Sequence, residues 1–142
     1  MENLSIITAV QNLMHSQNLA VLGTTDNGGS YCSIVHFSAT KDLCSIIFAT
    51  SRQTRKYGNL HRNPRVSLLV DNRSNQENDA YNAVAVTALG LSRELTGEEK
   101  APFLLLHLIK HPSLVEFTDS PDCALILVEI DIYYFVQKFQ IV

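Results

Sequence analysis

Between Thr50 and Pro64 the chain reads TSRQTRKYGNLHRNP, and there Ser51, Thr54, Arg55 and Lys56 gather two hydroxyls, a guanidinium and an ammonium. They stand where an apolar, β-branched run gives way to a polar one, which is how a strand hands over to a helix. A helix that begins there presents unpaired backbone N–H groups and the positive end of its dipole. With a guanidinium that can fork onto two oxygens, this is chemistry for holding a dianionic phosphate. No carboxylate adjoins the cluster in sequence. On spacing alone, a solvated basic helix face with ordinary Ser and Thr capping fits the same residues. The wider charge distribution points to an anion: residues 41 to 73 hold seven of the eleven Lys and Arg against only Asp42 and Asp71, although the whole chain carries a net charge of -3. The acidic remainder would repel a long polyanion, so a small anion is expected and nucleic acid is not.

Other reactive side chains give weaker patterns. His107 and His111 are four apart in a helical stretch, a spacing that can put two imidazoles on one metal, but no acidic or Cys partner completes a site. Near a helix end, favourable interaction with the negative end of the dipole is the expected role, and no metal is expected. Cys32 and His36 would lie ~13 Å apart on a strand, too far to act as a pair. His36 could still hydrogen-bond a ligand. Ser33 and Ser38 lack the G-x-S-x-G context of a hydrolase, and Gly28-Gly29 is a hairpin turn without the following helix of a phosphate loop. Tyr57, Tyr133, Tyr134 and Phe135 are expected in core or interface.

The elements that must position these residues follow from periodicity. Leu4, Ile7 and Met14 mark a helical stripe over residues 3 to 16, and strand chemistry follows over 19 to 25 and 30 to 40, joined by Asp26-Asn27-Gly28-Gly29. A third strand over 44 to 50 leads into a short helix over 51 to 61, ended by Asn63-Pro64. Strands over 66 to 71, 81 to 95 and 123 to 137 frame a polar loop at 72 to 79 and a helix from Thr96 to about Lys110. The expected fold is mainly β with flanking helices (α+β), a small antiparallel six- or seven-stranded split β-barrel, closed to remove its edges.

Composition bounds the rest. With 142 residues, 46% hydrophobic and 18% charged, one domain over 1–142 is expected, neither disordered nor collagen-like. The apolar stretches at 101 to 109 and 123 to 128 fall short of the ~18 residues that span a membrane. The absence of Lys or Arg before Lys41 removes the positive start of a secretory signal, and three scattered Cys suit a reducing compartment, so a cytoplasmic protein is expected.

From residue 43 to 70, with TSRQTRK, a short helix and NPRVSLLV, the sequence resembles the FMN-binding split barrel of the pyridoxamine 5'-phosphate oxidase family. The order of the rest agrees: a helix before NLAVLGTT, a strand ending VTALG, a helix with His111-Pro112 at its end, and a closing aromatic strand. The resemblance implies that Thr54, Arg55 and Lys56 bind the FMN phosphate. It places the flavin ring along Ser33, Ile34, Val35 and His36 and against Ala49 and Thr50, with backbone groups making much of the contact. It implies a homodimer with the cofactor at its interface. The oxidase activity itself is not expected, because the chain stops at Val142 without the family's Arg- and His-rich C-terminal segment, and Ser33 to Ser38 lacks the oxidases' basic residues. The expected function is an FMN-binding oxidoreductase that acts on a small molecule or electron donor. The alternatives are a barrel of this kind holding haem or a deazaflavin, and a cofactor-free dimeric scaffold. No acid, base or nucleophile stands out as catalytic, which suits a protein whose cofactor does the chemistry.

Overall fold

The computed structural model describes residues 2–138. Helix α1 (Glu2–Ser16) leads into β1 (Leu19–Asp26), and Asn27 and Gly28, at φ of 51° and 83°, turn the chain into β2 (Gly29–Ala39). Both turn residues sit in the left-handed region that Asn and Gly tolerate, as the DNGG motif predicts. β3 (Ser45–Ser51), α2 (Arg55–Arg62) and β4 (Arg65–Asp71) follow, then the one-turn α3 (Asp79–Asn82) and β5 (Val84–Glu94). Helices α4 (Lys100–Lys110) and α5 (Val115–Asp119) precede the closing strand β6 (Cys123–Gln137).

Six antiparallel strands close into a barrel in the order β1-β2-β3-β6-β5-β4, with Val21 facing Leu69 where β4 returns to β1. The split barrel expected from the pattern is therefore present with six strands. Its interior is filled by alternate residues, among them Leu22, Phe37, Phe48, Leu68 and Val86, all fully buried. Each large side chain of this kind contributes roughly 1.5–3 kcal/mol through removal from water. Val10, Leu13 and Met14 of α1 and Leu60 of α2 join the same cluster, which is why the apolar stripe of α1 was needed. A second cluster lies outside the barrel, where Phe103, Leu104 and Leu106 of α4 cover Ile47, Leu125 and Leu127. Because β6 is covered on both faces there, residues 123–128 read as one continuous apolar run in place of an alternating one.

Of the boundaries that differ from the sequence expectation, two have a cause in side-chain and backbone partners. α2 begins at Arg55, not Ser51, because Ser51 still pairs with Cys123 and Arg52 donates its N–H to the Asp122 carbonyl. β5 begins at Val84, not Tyr81, because the Asp79 carboxylate accepts the N–H groups of Ser74, Asn75 and Gln76 and organises the loop around α3.

One feature of the pairing positions the site. β2 pairs with β3 only through Phe37↔Phe48, Ser38↔Ile47 and Ala39↔Ile46. Beyond Phe37 and Phe48 the strands part, since β2 stays on β1 to the hairpin while β3 stays on β6. Among the described residues no helix is long and apolar enough to cross a membrane.

Candidate functional site

A cavity of about 320 Å³ occupies the place where β2 and β3 part. One lip is Ile34, Val35 and His36; the other is Ala49, Thr50 and Ser51, with Thr54 and Lys56 following. The Phe37 N–H donates to Asn18 on the β1 side, at 3.2 Å. Strand alternation then turns the N–H and C=O groups of Ile34 and His36 toward the parted edge. Folding thus supplies free backbone donors and acceptors without spending a side chain.

The lower lip runs into the start of α2. Thr54 is the N-cap, with extended backbone and a side chain that accepts the Tyr57 N–H at 3.4 Å. Its hydroxyl also donates to the Ser51 carbonyl at 2.8 Å and lies 3.0 Å from the Thr50 hydroxyl. The first turn of α2 has no acidic residue of its own to offset its positive dipole end. Lys56 lines the cavity, half-buried, and makes no ion pair among the described residues; burial holds its ammonium below the usual lysine range. No Asp or Glu lines this cavity.

The structure therefore brings Ile34, Val35, His36, Ala49, Thr50, Thr54 and Lys56 together, and it leaves two of the expected residues outside the lining. Ser33 alternates with Ile34 and faces the side of Val35 and Phe37, where its hydroxyl is buried without a partner. Arg55 points away, exposed, 3.7 Å from Asp26 and over the Tyr31 ring at 5.7 Å. The cluster has no carboxylate beside it in sequence, yet folding brings Asp26 of β1 next to it.

Ser51 of the cationic cluster also lines the cavity, and three lining residues escaped the sequence reading of the site: His107, Leu114 and Phe117. These three come from the segment around α4 and α5, far along the chain, and only the spacing of His107 and His111 drew notice to it. His36, His107 and His111 form a cluster, with ring centroids 5.3 Å apart for His36 and His111 and 4.9 Å for His107 and His111. His111 donates from Nε2 to the Phe37 carbonyl at 2.6 Å. His107 is fully buried, its Nδ1 2.9 Å from the Ser38 hydroxyl and its Nε2 unpartnered. Desolvation first, then the neighbouring His111, His36 and Lys110, pushes His107 down to about 4. It is neutral at physiological pH, which corrects the expectation of a cation complementing the helix dipole. Among the described residues no group of three His, Cys, Asp or Glu is arranged to hold a metal ion.

On the far side of α2, Glu94 accepts from Tyr57 at 2.7 Å and from Arg52 at 2.6 Å. Burial opposes its charge, but these two donors outweigh it and hold its carboxyl below the usual range. Tyr57, expected in core or interface, thus ties the base of α2 to β5.

Comparison with known proteins agrees with this architecture. A family model described as pyridoxamine 5'-phosphate oxidase matches residues 6–136. No curated protein matches. Among solved structures, a protein of unknown function from Agrobacterium tumefaciens superposes with a TM-score of 0.83 at 15% identity, over 94% of this chain and 57% of that one. A haem-binding protein from Mycobacterium smegmatis gives 0.81 at 20% identity, over 92% of this chain and 53% of its own. The chain thus spans little more than half the length of these two. A FAD-binding protein from Mesorhizobium loti gives 0.69 at 16% identity, over 90% of this chain and 91% of its own. At these identities the likeness is one of fold.

Proposed function

Because this chain belongs to the pyridoxamine 5'-phosphate oxidase family, we propose that it binds FMN in the split between β2 and β3 and works as an oxidoreductase on a small molecule. The observation that carries this reading is Lys56: a partly desolvated ammonium without an ion pair among the described residues, beside a helix start with no acidic residue in its first turn, in a cavity without an Asp or Glu. Such a group gains most from a dianion, and a phosphate is the dianion this geometry suits. The Thr54 hydroxyl and the first N–H groups of α2 would share the phosphate with Lys56. Arg55, two-thirds exposed and only loosely paired with Asp26, can turn toward it at small cost.

Ile34, Ala49, Leu114 and Phe117 offer an apolar slot for a planar ring, and the free backbone edge of β2 offers hydrogen bonds to its polar rim. Bound FMN would supply hydride or electron exchange at its N5, which accounts for a site without a catalytic acid, base or nucleophile. The protein's part is to grip, orient and exclude water. Ile34 and Phe117 are exposed where they border the cavity, and a second copy of the chain covering them would complete a homodimer with the cofactor between subunits.

The test is a flavin titration followed by fluorescence quenching, with the spectrum and mass of any molecule released on denaturation. Tight FMN binding is expected, weakened about ten- to a hundredfold by Lys56→Ala and less by Arg55→Ala. Equal affinity in the wild type and Lys56→Ala would remove the phosphate assignment. A sharp Soret band, in place of the two broad flavin bands, would make haem the ligand.

A further inference from the structure

His107 carries information about the ligand that the phosphate end does not. It lies on α4, fully buried, and lines the cavity in the split. Among the described residues the ring's only hydrogen bond joins Nδ1 to the hydroxyl of Ser38, which is itself 1% exposed and has no other side-chain partner. Two tautomers can make that bond, and counting donors and acceptors separates them. If Nδ1 carried the proton, the Ser38 O–H would be a buried donor with no acceptor, and the Nε2 lone pair would also be unmet. If Ser38 donates to Nδ1, the hydroxyl proton and the Nδ1 lone pair satisfy each other, and a single Nε2–H is left over. Each unsatisfied buried group carries a free-energy penalty, so the second arrangement wins.

The leftover N–H has no acceptor among its neighbours. His111, which packs against it, has its own Nε2 committed to the Phe37 carbonyl, and His36 makes no bond to it. The two ring nitrogens project in nearly opposite directions, so Nε2 points away from Ser38, and His107 lines the cavity where Ser38 does not. A buried, unpartnered polar atom in a native protein calls for an explanation, and a ligand that satisfies it is one.

We propose that His107 is a ligand-binding residue, locked by Ser38 as the neutral Nε2–H imidazole, which donates to a carbonyl oxygen or unprotonated ring nitrogen of the molecule held in the split. The site then selects for a heteroaromatic edge with such an acceptor. This rests on the flavin reading for the ligand's identity, since the pyrimidine edge of an isoalloxazine is an edge of this kind.

Histidine ring nitrogens report this directly. In 15N-histidine-labelled protein at pH 7, His107 should show a protonated Nε2 and an unprotonated Nδ1, and added FMN should shift the Nε2–H signal. His107→Leu should weaken FMN binding about tenfold, whereas His107→Gln, which can still donate, should recover most of it. Should His107→Leu fail to fold, the wild-type spectrum still decides. A proton on Nδ1, or on both nitrogens, would overturn the proposal. So would FMN binding that leaves the His107 signals and the His107→Leu affinity unchanged, with the flavin reading intact. A wild-type protein that takes up no FMN overturns the flavin reading and this proposal with it.

Discussion

Arg55 and Lys56 are neighbours with the same charge in the same motif, but folding gives them different surroundings. Lys56 is drawn against the cavity and loses water, while Arg55 faces outward to Asp26 and the Tyr31 ring. Composition identified both; only the position of β1 separates them. The histidines carry the same lesson, because the spacing of His107 and His111 was visible but their neutrality was not. It depends on burial against Ser38, which lies 69 residues away along the chain. That burial has a consequence for acid stability. The folded His107 resists protonation until about pH 4, whereas the unfolded chain takes the proton near its ordinary value of 6.5. The unfolded state therefore binds more protons between those limits, so the stability conferred is complete above about pH 6.5 and is lost as pH falls toward 4. The loss should reach roughly 3 kcal/mol. Urea unfolding at pH 7 and pH 5 checks it. The midpoint should drop in the wild type and drop less in His107→Gln, and equal midpoints at the two pH values would refute the account.

At the level of elements, propensity and turn chemistry placed the six strands, and the alternation that fills the barrel was readable in each of them. Starts and ends were less so, because they depend on partners elsewhere. Ser51 remains in its strand only because Cys123 is opposite, and α3 forms only because Asp79 gathers the N–H groups of residues 74 to 76. The ladder between β5 and β6 holds another such feature. It shifts register after Leu89, so that Gly90 faces Ile130 where the regular ladder would continue from Ile132. A Cβ on Gly90 would strike the Glu129 carbonyl of β6, which is backbone and cannot swing aside. Gly90→Ala should therefore destabilise the barrel by about 1–3 kcal/mol, read as a lower denaturation midpoint. An unchanged midpoint would mean that the bulge gives way easily. Gly90 matters to the site only indirectly, since β5 and β6 hold β3 and hence one lip of the split.

For the whole molecule, the open question is what covers the apolar surface around the cavity. Ile34, Val115 and Phe117 are between 42% and 59% exposed, an apolar grouping at and beside the cavity. A homodimer predicts that Phe117→Asp, which buries a charge at the seam, shifts sedimentation from dimer to monomer and lowers FMN affinity with it. A wild type that sediments as a monomer at micromolar concentration would count against the shared site. The amino-acid sequence alone determined the order of the six strands and of helices α1, α2 and α4, and the cationic cluster at the start of α2, because each is written in a window of a few to a dozen residues. Tertiary structure alone decided where β2 and β3 part, that Asp26 reaches Arg55, and that His107 meets Ser38 beside the cavity. The physical reason is that these follow from strand pairing and burial between distant segments. A residue's charge state and free hydrogen-bonding atoms are set by those neighbours, and no local pattern names them.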